Sequence, residues 1–426
     1  MYPSTLRVPA VLCVVLALVF RPWSRERSNV PALRFWLGVF LAATAAQLLP
    51  LPSPVLDVVS PSARAALSQL VLVMPDRPSI SIDEPATRLT LAVNAGLAIV
   101  FLSALRIFET GGVRVFARGL AMAGLLLSLI AIAQDSTSRG LMYWRWKPLT
   151  EGSPPFGPFV NRNHFATWAV LAIPLTLGYL AAHLGARQER HSPLVAFRRR
   201  LVTFLDGRAV VLAASACVMT VALVITLSRS GLLGIAVAAA TAAVLAARYH
   251  GSRHPRALRW LAVAAVGAAL LTLAAIPPRT IVSRLARTQV SAADRLTIWK
   301  DTMPVVRDFW LTGTGAGTYE TSMLVFQRAS PGVRFNQAHN HYLQAASEGG
   351  VLLCAPLVIA LSLFVRHGWA RTTGDASGMY WIRAGALAGL AGAAAQSLWE
   401  TGLITPANGA LACVLCAIVL HEPRRH

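Results

Sequence analysis

The segment QAHNHYLQAASEGG, from Gln337 to Gly350, closes a long polar stretch and runs directly into an apolar run at Val351. It carries His339 and His341, with amides at Gln337 and Asn340, a helix-compatible run from Tyr342 to Ser347, and a double glycine suited to ending that helix. Imidazole changes charge near neutral pH, so a histidine at a membrane edge is a candidate general base. A lone histidine in such a place is more often an interfacial residue without chemistry, and its company decides the matter. That company comprises Asn161-Arg162-Asn163-His164, Ser228-Arg229-Ser230-Gly231, Asp294-Arg295-Leu296-Thr297-Ile298-Trp299 and Gly313-Thr314-Gly315-Ala316-Gly317.

The chemistry these residue types suit is the handling of an anionic leaving group. A departing anion such as a diphosphate needs cations, supplied either by a metal on carboxylates or by guanidinium groups. No Asp-x-Asp pair occurs, and Lys147 and Lys300 are the only lysines, so arginine is the available diphosphate ligand. Arg229, Arg295 and Arg162 are the candidates. Arg229 also fits a snorkelling interfacial residue. Its tight position between two apolar runs asks for a partner, because arginine at a bilayer centre costs roughly 2.5 to 3.5 kcal/mol on insertion scales.

Asp294 to Met303 reads as a short amphipathic helix with Leu296, Trp299 and Met303 on one face, Arg295 on the Trp299 side, and Pro304 kinking or ending it. A plain interfacial helix explains the same pattern. The glycines at 313, 315 and 317 read as a tight turn rather than a nucleotide loop, since no strand precedes them and no clear helix follows. His339 and His341, two residues apart, would point about 200° apart on a helix and could not face one pocket. That divergence, with no H-E-x-x-H, also speaks against a zinc site from His339, His341 and His164. The knot Tyr143-Trp144-Arg145-Trp146-Lys147 fits a bilayer anchor better than a sugar platform.

The elements that must position these residues are membrane helices. The 426 residues are 55% hydrophobic and 13% charged, with a mean hydropathy of +0.56, too apolar for a soluble protein of this size. A net charge of +21 would suggest nucleic acid in a soluble protein; here the basic residues cluster at span ends, which makes them topological and excludes nucleic acid as a partner. The five cysteines fall in apolar runs at no metal-ligand spacing, so free thiols are expected.

Apolar runs lie at about Val8–Phe20, Phe35–Leu51, Leu89–Leu105, Gly119–Ala133, Phe165–Leu184, Ala209–Leu227, Leu232–Ala247, Trp260–Ile276, Val351–Val365, Ala384–Leu398 and Gly409–Leu420. The expected fold is therefore all-α, a polytopic transmembrane bundle of about eleven or twelve spans with one large periplasmic loop containing short helices. Its parts are N-terminal spans (1–134), central spans (135–276), the large loop (277–350) and C-terminal spans (351–426). No soluble domain is expected, and Pro52–Thr87 reads as an external loop. The short basic links holding Arg106, Arg114 and Arg118, and Arg187 to Arg208, are placed in the cytoplasm by the positive-inside rule, which puts Gly313 to His341 outside.

Taken together, the motifs resemble the O-antigen ligase and O-antigen polymerase superfamily of bacterial envelope glycosyltransferases. The resemblance rests on an SR-x-G turn between two spans (Ser228 to Gly231) and on a large loop with an R-x-x-x-W helix (Arg295 to Trp299). That loop also carries a G-x-G-x-G turn (Gly313 to Gly317) and an HN-x-x-L element (His339, Asn340, Leu343) with a glycine further on (Gly350). It extends from about Asn161 to Pro406. It implies a multi-pass inner-membrane enzyme with a periplasmic site that moves a glycan from an undecaprenyl-diphosphate donor to an acceptor hydroxyl. The implied transfer is inverting, with neither metal nor other cofactor.

The resemblance selects His339 over His341 as the base. Arg229, Arg295 and Arg162 would hold the diphosphate, with Asn340, Asn163 and His164 in support. Partners would be the lipid-linked glycan, membrane lipids and a glycan, lipid or protein acceptor. A polymerase of surface or exopolysaccharide units is the alternative within the class. A lipid-linked-glycan flippase is the rival outside it, and it would need cations inside the bundle rather than at span ends.

Overall fold

The computed structural model describes residues 30–147, 154–188, 206–249, 295–329 and 333–422, together with Cys13, Val15, Leu16, Leu18 and Val19. Their regular structure is helical, and only isolated bridges join Met142 to Trp146 and Phe156 to Phe159. In chain order the helices are α1 (Pro31–Ala46), α2 (Ser53–Val59), α3 (Pro61–Leu70), α4 (Glu84–Thr110), α5 (Val113–Thr137), α6 (Arg162–Gln188), α7 (Gly207–Ile225) and α8 (Arg229–Arg248). There follow α9 (295–308), α10 (Tyr319–Phe326), α11 (His341–Thr373), α12 (Met379–Gln396) and, after a 3-10 turn at Gly402–Ile404, α13 (Pro406–Leu420).

Six of these helices, α4, α5, α6, α7, α8 and α11, are long and apolar enough to cross a bilayer, and α1 and α13 are apolar but shorter. The chain thus has the make-up of a multi-pass helical membrane protein. Most apolar runs read from the sequence coincide with one helix each. Trp260–Ile276 and most of Val8–Phe20 lie outside the described residues, as do the Arg198–Arg200 run and the first part of the 277–350 loop. The five cysteines are free.

Three expectations can be set against these helices. The glycine pair ends the helix begun at His341, as expected: Gly350 lies at φ 53° and ψ −159°, and a second helix follows at once, so α11 is two helices joined across a kink. At that break the Val351 and Leu352 amides donate to the Trp310 and Leu311 carbonyls, at 2.8 and 2.9 Å. A Cβ on Gly350 would lie 2.6 Å from the Gly313 nitrogen, so only glycine fits both the backbone and the space. Next, α9 runs through Pro304 to residue 308, and its buried positions are Ile298, Asp301, Thr302 and Val305. Leu296 and Met303 are exposed, and Trp299 packs against the core. Finally, Pro52–Thr87, read as an external loop, contains α2, α3 and the start of α4.

The chain divides into two compact units, one drawn from Met1–Val100, Pro278–Arg366 and Ser397–Thr401, the other from Phe101–Pro277, His367–Gln396 and Gly402–His426. The first unit contains a core that the sequence reading did not foresee. Leu56, Ala63 and Leu67 of α2 and α3, with Ile80 and Ile82, pack with Ile298, Val305, Phe309, Tyr319, Met323, Phe335 and Ala338. Two polar segments distant in sequence bury one another's apolar residues, at roughly 1.5–3 kcal/mol per large side chain.

The second unit is organised on α6 and α12, both buried along most of their length. Lipid is as apolar as leucine, so membrane helices associate through close approach at small residues rather than by leaving water. Here a Cβ on Gly385 would lie 2.3 Å from the Pro174 carbonyl oxygen, and one on Gly392 would lie 2.4 Å from that of Gly234. The glycines of α12 therefore seat α6 and α8.

Candidate active site

In the first unit the chain around His339 is fixed on both sides. Trp299 Nε1 donates to the Ala338 carbonyl at 2.9 Å, and the Ala338 amide donates to Gln344 Oε1 at 3.2 Å. Asn340 Oδ1 accepts from the Leu343 amide at 3.0 Å, the bond of a helix N-cap, so α11 starts at His341. The His341 amide in turn donates to the Ser397 carbonyl at 2.8 Å, and Thr401 Oγ1 donates to Gln337 Oε1 at 2.5 Å. His339 itself lies outside the helix at φ 49°. The two histidines therefore diverge because one precedes the helix in a left-handed conformation and the other opens it. A non-glycine residue pays about 1–3 kcal/mol for such a conformation, which persists only where surrounding bonds impose it.

Behind His339 stands a carboxylate that the sequence reading missed. Glu400 is fully buried, and its Oε1 lies 3.7 Å from His339 Nδ1 while accepting from the Thr401 amide at 3.1 Å. At 3.7 Å the contact is electrostatic rather than a hydrogen bond. His339 Nδ1 is buried and has no hydrogen-bond partner among the described residues, whereas the ring as a whole keeps 31% of its surface open. The available signal was an acidic residue at the end of an apolar run, Ala384 to Leu398. An ionisable group at membrane depth is costly enough to be read as functional by default.

The other motifs of this unit act as supports. Gly313, Gly315 and Gly317 all have positive φ, which makes the segment a turn as expected, but α10 follows it directly. Its amides are used internally: Thr314 and Gly315 donate to the Ser347 and Glu348 carbonyls at 3.0 Å each, and Gly317 donates to the Glu348 carboxylate at 2.8 Å. Gln47 braces the same turn, donating to the Thr312 carbonyl at 2.8 Å and accepting from the Ala316 amide at 2.9 Å. The turn is thus a bracket for the first turns of α11, with its amides turned to protein. Tyr319 stays neutral, its phenol pushed up to about 12 by burial, and its oxygen lies 2.7 Å from Thr302 Oγ1. Trp299 ties α9 to Ala338, and Arg295 stands one helical turn before it.

In the second unit Ser228 caps α8, its Oγ accepting from the Gly231 amide at 3.3 Å, after Leu227 has turned the chain at φ 51°. A Cβ on Gly231 would come within 2.7 Å of Ala166 Cβ, so the last residue of the SR-x-G turn allows α8 to lie against α6. Arg229, exposed, is the first residue of α8, and Arg162 Nη1 donates to the Thr226 carbonyl at 3.5 Å. Arg162 and Arg229 therefore flank one turn.

The Asn163 amide donates to Asn161 Oδ1 at 2.8 Å. His164 Nδ1 lies 3.0 Å from Thr405 Oγ1, and the His164 carbonyl accepts from Asn408 Nδ2 at 2.9 Å, so His164 holds the start of α13. The structure thus gathers Arg295, His339 and Asn340 in one unit, and Arg162, Asn163, His164 and Arg229 in the other. Among the described residues no group of three or more His, Cys, Asp or Glu side chains is disposed to hold a metal ion.

Bilayer-length helices joined to a histidine held against a buried carboxylate define a multi-pass membrane protein with the parts of an acid–base site. Residues 214–358 match the family model described as O-Antigen ligase, which supports the O-antigen ligase superfamily. The matched stretch contains Ser228 to Gly231, Arg295 to Trp299, the glycine turn and His339 to Gly350; Arg162 and Glu400 lie beyond it. The match indicates a membrane enzyme of the ligase or polymerase type; members of that family are glycosyltransferase-like and act on lipid-linked glycans. No curated protein matches the chain.

Proposed function

We propose that this protein transfers a glycan from an undecaprenyl-diphosphate donor to an acceptor hydroxyl at the periplasmic face of the inner membrane, by a single metal-independent displacement. The observation that carries the reading is the His339–Glu400 pair. His339 Nε2 takes the hydroxyl proton as the acceptor oxygen bonds to the anomeric carbon, the bond from that carbon to the diphosphate oxygen breaks, and the anomeric configuration inverts. The imidazolium so formed faces the Glu400 carboxylate across the Nδ1 side, where a charge contact can tighten into a hydrogen bond. Arg229, Arg295 and Arg162 offer planar forks to the diphosphate as its negative charge grows. Asn340 caps the helix that positions the base.

The experiment is transfer by the purified protein with a defined undecaprenyl-diphosphate glycan in excess chelator. Activity should persist. Loss in chelator with restoration by magnesium or manganese would sink the arginine-based reading.

Glu400 is a positioning residue in this scheme, and Glu400→Gln keeps its shape while removing its charge. The expected result is a kcat lower by about tenfold or more, equivalent to at least ~1.4 kcal/mol of lost transition-state stabilisation, with donor KM and protein level unchanged. Partial recovery by Glu400→Asp would separate the charge from the packing. An unchanged kcat in Glu400→Gln would show that the carboxylate does not assist the histidine.

A further inference from the structure

Away from every residue assigned to transfer, α5, α6 and α7 enclose a cavity of about 240 Å³ lined by Arg114, Arg118, Tyr179, Ala182, His183 and Arg208. The sequence places these arginines in two different links, both read as cytoplasmic; the structure brings the ends of those links to one place. Arg114 and Arg118 lie in the first turns of α5, and Arg208 is the second residue of α7. None of the three forms an ion pair among the described residues. The carboxylate next to Arg208, Asp206, is held by His183 Nε2 at 2.7 Å.

Asp206 and Gly112 occupy the N-cap positions of α7 and α5, neither makes a side-chain capping bond, and neither helix has an acidic residue in its first turn. The positive end of α5 therefore adds to three guanidinium groups, while the Asp206 carboxylate offsets that of α7. The cavity is smaller than the roughly 300–1,000 Å³ usual for organic ligands, and it suits a headgroup rather than a whole molecule. From its mouth an apolar stripe on α5 runs outward through Val115, Met122, Leu126 and Leu129, all exposed and at helical spacing.

We propose that this cavity binds the phosphate of an anionic phospholipid, with the acyl chains lying along the α5 stripe. Basic recesses between membrane helices on the cytoplasmic side suit such headgroups, and the stripe favours a lipid over a free phosphate ion.

The test uses the full chain, delipidated in detergent and then given phosphatidylglycerol, phosphatidylcholine or inorganic phosphate, with retained lipid counted by native mass spectrometry and stability read as Tm. Phosphatidylglycerol should stay bound and raise Tm by several degrees where phosphatidylcholine does not. Arg118→Gln combined with Arg208→Gln should match the parent Tm in phosphatidylcholine yet lose that rise and bind phosphatidylglycerol about tenfold more weakly. If the double variant misfolds, Arg118→Gln alone gives the same reading at smaller size. Arg366→Gln, which removes an exposed charge elsewhere, should keep the full effect. An equal Tm rise with inorganic phosphate would overturn the lipid assignment. Equal loss in Arg366→Gln, or no loss in the double variant, would overturn the site.

Discussion

His339→Ala should leave a folded, donor-binding protein whose single-turnover transfer is slower by roughly 10²- to 10⁴-fold, the usual worth of a positioned base. His341→Ala should lose little. The contrast follows from what each residue does for the fold. His341 opens α11 and contributes to the loop through its backbone amide, which an alanine retains. His339 is held at φ 49° between Ala338 and the Asn340 cap, and the bonds that hold it come from Trp299, Gln344, Ser397 and Thr401 rather than from its own ring. Removing the imidazole thus spares the scaffold and relieves nothing that donor binding needs. Donor binding and transfer must be measured together. A dead His341→Ala, or a His339→Ala that loses binding but transfers normally once saturated, would reverse the assignment.

Lysine in place of Arg229 or Arg295 should cut transfer nearly as hard as alanine, with little change in protein level. The substitution keeps a positive charge and discards the planar fork that meets two phosphate oxygens at once. Arg229 is well suited to the comparison: it is exposed at the first position of α8, the turn before it is shaped by Ser228 and Gly231, and a lysine there disturbs neither. Arg295 begins the described part of α9, one turn from the Trp299 anchor, and is likewise free to change without unseating Ala338. Steady-state kinetics with donor varied should show kcat falling more than KM rises, as expected when the lost interaction strengthens as the diphosphate departs. Full activity with lysine at both positions would mark these arginines as ordinary interfacial residues.

Most of the membrane helices were legible from composition, because a run of apolar residues long enough to cross lipid leaves few alternatives. The SR-x-G turn was legible for a similar reason: cap, cation and small residue sit within four positions and act locally. What escaped depends on partners far along the chain. The bonds from the Val351 and Leu352 amides to the Trp310 and Leu311 carbonyls fix the kink at Gly350, and nothing near the glycines records them. Leu56 and Leu67 find their core with Val305 and Phe309, a pairing no periodicity records. Glu400 stands with Gln396, Ser397 and Thr401 at the end of an apolar run, and nothing in the sequence near it points to His339. Its relation to His339 exists only once the Ser397–Thr401 segment lies beside the start of α11.

A single displacement by an acceptor hydroxyl on the anomeric carbon has one signature that neither binding nor stability can imitate. The anomeric configuration of the new linkage should be read by NMR on the product of one turnover, using a donor of defined configuration at its diphosphate-bound sugar. Inversion is the predicted result. Retention would require a covalent glycosyl-enzyme or an equivalent second displacement, and would contradict a mechanism in which His339 acts only as the base.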